Sequence, residues 1–130
     1  MDLNIRIIHG RDFLKTTPTH EVDLETSKQF FLKLAEENAA PRQYDLLIDN
    51  RYTTGHLTLA EITELVKVVI EHRDSFRSKI AILALPGVKF DNAQFAALYA
   101  NNRGFQVAAF TDFEETMNWL MPSTELTAEA

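Results

Sequence analysis

The chain has no cysteine, which removes disulfides, thiolate nucleophiles and cysteine-based zinc sites together and fits a reducing compartment. Glycine is almost as scarce, at four residues in 130. Neither G-x-G-x-x-G nor G-x-x-x-x-G-K-[ST] occurs, so the glycine-lined cradles that hold nucleotide phosphates are missing. G-x-S-x-G is absent too, and Ser27, Ser75, Ser78 and Ser123 do not follow a buried strand, so no serine nucleophile is expected. His9, His20, His56 and His72 stand far apart, with no pair at helical or hairpin ligand spacing, so neither a metal nor a cofactor is expected. Apolar runs stay well short of the ~18 residues of a membrane span, and the opening MDLNIRIIHGRDFLK has no basic n-region or apolar h-region. These absences predict a cytoplasmic protein without membrane insertion. A net charge of −6, with thirteen basic residues scattered among acids, argues against non-specific nucleic-acid binding.

The balance of 45% apolar to 25% charged residues is that of an ordinary globular protein. At this length one domain can bury roughly two-thirds of the surface its unfolded chain exposes. That domain is expected to span residues 1–121, with PSTELTAEA at 122–130 as a disordered tail.

Along the chain, Leu3, Ile5 and Ile7 alternate with Asn4 and Arg6 as in a half-buried strand. A second strand is expected over Asp12 to Thr17, broken by Pro18. Leu24, Phe31, Leu34 and Ala35 then fall at helical spacing between Asp23 and Asn38. YDLLIDN and KIAILAL carry continuous apolar runs, as strands covered on both faces do. Between them, Thr58 and Glu61 form a capping box, Leu57 and Ile62 a hydrophobic staple, and Ile62, Leu65, Val66, Val69 and Ile70 one apolar face. A third helix is predicted to be capped by Asp91 and Gln94, with Phe95, Leu98, Tyr99 and Asn102 on its inner edge and Gly104 at its end. Phe105 to Phe110 reads as the last strand, and Thr111 with Glu114 caps a helix ending near Leu120. This alternation predicts an α/β domain: a mixed, mostly parallel sheet of about five strands with helices on its faces and an antiparallel N-terminal edge pair.

In such sheets ligands collect outside the carboxyl ends of the strands, where Asp49 to His56 fall. Asp49 there could resemble a phosphoryl acceptor, but no acidic pair and no lysine follow at the neighbouring strand ends, and a surface pair with Arg51 that shapes the loop fits better. Thr53, Thr54 and Thr58 lie before a helix N-terminus, where a phosphate would meet unsatisfied N–H groups. Thr58 is first of all a cap. With Gly55 and His56 in the same turn, the candidate binding or regulatory residues are Asp49, Arg51, Thr53, Thr54, Gly55, His56 and Thr58; no catalytic residue is expected.

The succession LLIDNRYTTGHLTLAEITEL, KIAILAL and FAALYANNRGFQVAAFTDFEETMNWL resembles bacterial STAS domains related to the sporulation anti-sigma-factor antagonist, in their small stand-alone SpoIIAA-like branch. The resemblance covers nearly the whole chain to Leu120. It is carried by Asp49-x-Arg51 with the Gly55 turn, Gly104-Phe105-x-Val107, and Phe110-x-Asp112-x-Glu114-Glu115 with Trp119-Leu120. It implies a non-enzymatic protein that works through a protein partner in signalling or regulation. In the antagonists a serine at the matching helix start is phosphorylated; here that position carries Thr58, and the usual Asp-Ser-Ser-Gly is replaced. The branch is also similar to lipid-carrying SEC14-type domains, which implies a small apolar ligand as the alternative. A partner-binding domain is expected to have no deep pocket and an exposed face at residues 54–59. A carrier should instead enclose a cavity near Phe30, Phe31 and Phe95. A homodimer through an edge strand or an apolar face is compatible with either.

Overall fold

Residues 5–8, 13–19, 21–39 and 44–121 are described by the computed structural model of the chain. Strand β1 (Ile5–Ile8) pairs antiparallel with β2 (Phe13–Thr16), and α1 (Leu24–Glu37) follows. Next come β3 (Asp45–Asp49), α2 (Leu59–Glu71), a 3-10 turn at Arg73–Ser75, β4 (Lys79–Leu83), α3 (Val88–Asn101), β5 (Gln106–Phe110) and α4 (Phe113–Leu120). The strands lie side by side in chain order, and β2 to β5 run parallel. Among the described residues no helix is long and apolar enough to cross a membrane.

That strand order decides where the helices go. Right-handed crossovers between neighbouring strands taken in sequence place every connecting helix on one face. Accordingly α1 packs on α2 and α2 on α3, while α4 alone packs on the other face, against β4 and β5. Leu46, Ile48 and Ile80 point into the three-helix layer with Leu34, Val66 and Phe105. Leu47, Ala81 and Leu83 point the other way, to Leu120 and Met117. The continuous apolar run in β3 is thus covered on both faces, as its composition demands.

Local chemistry sets most helix ends as expected. Thr58 Oγ1 accepts from the Glu61 N–H at 3.1 Å and Glu61 Oε1 accepts from the Thr58 N–H at 2.9 Å, and Leu57 and Ile62 are both buried. Gly104 takes the left-handed φ of +93°, with the Phe105 N–H reaching back to the Ala100 carbonyl, which closes α3 as a Schellman turn.

Three expectations are corrected. The third helix begins a turn before Asp91: Gly87, at φ +110°, lets the chain turn straight from Pro86 into α3, and the Asp91 N–H bonds to the Gly87 carbonyl inside the helix. Its inner edge is also not aromatic. Ala93, Ala97 and Ala100 are buried, whereas Phe95 and Tyr99 are half-buried against each other and Leu98 is 62% exposed. The small side chain of Ala97 lets α3 pack closely on the sheet, which a large one would prevent. Finally, α4 is capped by Asp112, whose carboxylate accepts from the Glu115 N–H at 3.0 Å, and not by Thr111 with Glu114. Asp and Thr both suit an N-cap, and two overlapping boxes one residue apart compete here. Leu3, Asp12, His9, His20 and the 122–130 tail lie outside the described residues.

Candidate functional site

Asp49 ends β3 on the α4 face, only 1% exposed. Its carboxylate accepts from Arg51 Nε at 2.9 Å and from Nη2 at 2.8 Å, with a longer contact from the Arg51 backbone N–H. Burial pushes the carboxyl upward, but the Arg51 hydrogen bonds and the nearby charges of Arg51 and Lys15 outweigh it, and Asp49 titrates below the usual carboxylate range. Asp49 raises Arg51 in turn. The pair expected at the surface is therefore buried on its acidic side. Arg51 keeps some exposure and lies over the Tyr52 ring, 5.4 Å from its centroid.

The loop beyond it is fastened from both sides. Thr53 is buried and its hydroxyl donates to the Asn50 carbonyl at 3.2 Å. The Val22 N–H donates to the Thr54 carbonyl at 2.8 Å, and Glu21 and Thr54 form a parallel bridge, so the β2–α1 connection straps the loop. From the start of α3, Lys89 Nζ donates to the Thr53 carbonyl and Asn92 Nδ2 to the Leu57 carbonyl at 2.9 Å. Gly55, at φ +77°, makes the turn, with the Val22 carbonyl 3.5 Å from where a Cβ would stand. Thr54, His56 and Thr58 are exposed. Of the expected site residues, Asp49 and Arg51 thus face the α4 side, and the 53–58 turn faces the three-helix side.

Under that turn, between the sheet and α1 to α3, lies a cavity of about 160 Å³. Phe30, Phe31, Ile48, Val66, Ile80 and Ala93 are among the residues that enclose it; Phe95 is not. Gly55, His56, Asn50, Lys89 and Asn92 stand at its mouth. Absence of a strand-order reversal explains its position: a sheet wound in one direction has no crevice between diverging crossovers, so free volume gathers beneath the helices. The alanine face of α3 widens it.

Ser27, Asn50, Lys89 and Asn92 are the site residues that the sequence did not single out. The signal for Lys89 was the Pro86-Gly87 pair, which permits a helix from Val88; a cap set at Asp91 instead leaves Lys89 in a loop. Among the described residues no three of His, Asp and Glu converge closely enough to hold a metal ion.

These features define an α/β domain of SpoIIAA-like fold with a cavity on its three-helix face. A similar fold is seen in the crystal structure of an uncharacterised protein of the DUF3478 family, described as SpoIIAA-like, from Shewanella loihica PV-4. It shares 20% sequence identity, covers 92% of each chain and superposes with a TM-score of 0.61. No protein-family model and no curated protein matches the chain.

Proposed function

We propose that the chain is a non-enzymatic binding domain that holds a small, largely apolar molecule between its sheet and helices α1 to α3. The observation that carries this reading is the cavity, since a domain that worked only through its outer edge would have no use for one beneath it. An apolar cavity of ~150 Å³ elsewhere is large enough to take benzene, so about 160 Å³ accommodates a body of about six carbons. The order of the two sequence readings is thereby reversed, with the carrier ahead of the partner-binding domain. Asp49 supports the absence of catalysis: its carboxylate is held ionised by Arg51 and does not line the cavity, unlike a general acid or base with a raised pKa. Native mass spectrometry of protein isolated from its own cells should find a bound small molecule, which Ala93→Leu displaces by filling the space. Wild-type protein that is always empty, and that also refuses benzene in solution, would sink the reading.

The second reading keeps a protein partner at the same edge, with signalling or regulation as its outcome. Favouring it, Tyr52 is 57% and Leu59 53% exposed on either side of Thr54 and His56. If it holds, Tyr52→Ala with Leu59→Ser abolishes capture of that partner and leaves the cavity ligand in place.

A further inference from the structure

The cavity has two chemically different ends, and the topology fixes which is which. Helices that follow parallel strands start at the carboxyl edge of the sheet, so Ser27, Lys89 and Asn92, all near the starts of their helices, gather there beside Asn50 and His56. The opposite end is closed by Val69, Ala100 and Val107, with Ile80 paired to Leu46 below them. Ile48 of β3, Asn50 just after it, and Ile80 and Ile82 of β4 form its sheet side.

Two groups at the polar end lack the partner they would be expected to have. Lys89 is the one Lys or Arg among the described residues lining the cavity, and it is half-buried. Its ammonium donates to the Thr53 carbonyl and approaches the Thr53 hydroxyl at 3.3 Å. Both are neutral, and no carboxylate among the described residues lies within ion-pair distance of it. The closer an ammonium comes to full burial, the more it gains from a counter-charge. Ser27 is 9% exposed, lines the cavity, and its hydroxyl has no hydrogen-bond partner among the described residues. Thr63 and Thr116, by contrast, donate back to the carbonyls of Ala60 and Asp112. A buried hydroxyl left without a partner costs stability unless a ligand completes it.

We infer that the ligand is a monocarboxylate of about six carbons in all, with its carboxylate at the mouth on Lys89, at the end of the cavity that Ser27 also lines, and its apolar tail toward Val69 and Val107. This deepens the proposed function and rests on it. One ammonium matches one negative charge, whereas a phosphomonoester carrying about −1.5 to −2 at neutral pH would leave charge uncompensated. The turn also lacks the multiple glycines with which a phosphate cradle exposes its N–H groups.

The test compares hexanoate with hexanamide, which has the same shape and no charge, by calorimetry and amide NMR on the full chain. Hexanoate should bind about tenfold tighter or more, the size expected for one charge-assisted hydrogen bond, and added salt should shrink the ratio. Lys89→Met should bring the ratio to about one, with Lys89→Gln as the alternative should the first variant fold poorly. Ala93→Leu should block both probes. Equal binding of both probes, or a ratio that survives in both Lys89 variants, would overturn the carboxylate assignment and leave the apolar cavity standing. Failure of both probes to bind wild-type protein at millimolar concentration would overturn the carboxylate assignment, and refusal of benzene as well would overturn the carrier reading with it.

Discussion

At Asp49 burial and pairing act in opposite directions, and pairing wins. Because the folded-state pKa lies below that of an unfolded carboxylate, ionised Asp49 contributes stability that is fully present above about pH 4 and is lost as pH falls through the lower folded value. Urea midpoints measured from neutral to acid pH should therefore show a decline below pH 4 that is smaller in Asp49→Asn. Arg51→Met should cost about 2–3 kcal/mol at neutral pH, the low end for an orphaned buried charge because Arg51 keeps contact with water. A variant as stable as wild type would mean that water reaches the carboxylate. Thr53 belongs to the same scale: it is buried and its hydroxyl is engaged, so among the three threonines a modifying enzyme would meet Thr54 and Thr58 first. Phosphate on Thr58 would break the capping box, and phosphate on Thr54 would not.

Helix ends show how far local sequence reaches. The Thr58–Glu61 box was legible because every atom it needs lies within four consecutive residues. Thr58→Ala should cost about 1 kcal/mol and lower the melting temperature by about 4 °C, while Thr54→Ala leaves it unchanged. The cap of α4 was misplaced by one residue since Thr111 and Asp112 offer equivalent chemistry, and only the observed Asp112–Glu115 contact distinguishes them. Asn38 was not legible at all. Its side chain donates to the carbonyls of Tyr44 and Ser75 at 3.1 and 2.8 Å and accepts from the Tyr44 N–H at 2.7 Å, fully buried, tying the end of α1 to the residue before β3 and to the distant 3-10 turn. Asn38→Ala should destabilise by about 2–4 kcal/mol by orphaning these groups, as read from the midpoint of urea unfolding. The inner face of α3 was misread for a related reason: alanine carries little hydrophobic signal, so Phe95 and Leu98 attracted the assignment that Ala93 and Ala97 deserved.

At the scale of the whole molecule, the α/β class and the parallel run of strands were legible because strand and helix periods alternate cleanly. The cavity was only half legible. Phe30 and Phe31 were expected beside it, but its wall is assembled from segments between Pro18 and Val107, each of which reads locally as ordinary core. Ala93→Leu should leave the melting temperature unchanged or raise it, since a side chain added to empty space gains contacts without displacing any; a clear drop would mean that the space is already filled. Trp119, the single tryptophan, packs on the opposite face of the sheet, 5.8 Å from the Phe110 ring and with Lys79 5.5 Å above its own. Its fluorescence is thus a built-in gauge of α4, screened from the cavity by the full thickness of the sheet. Constant emission alongside shifted α3 amides would mark a ligand felt on one side only, and a change in emission would reveal that the sheet passes strain from one layer to the other.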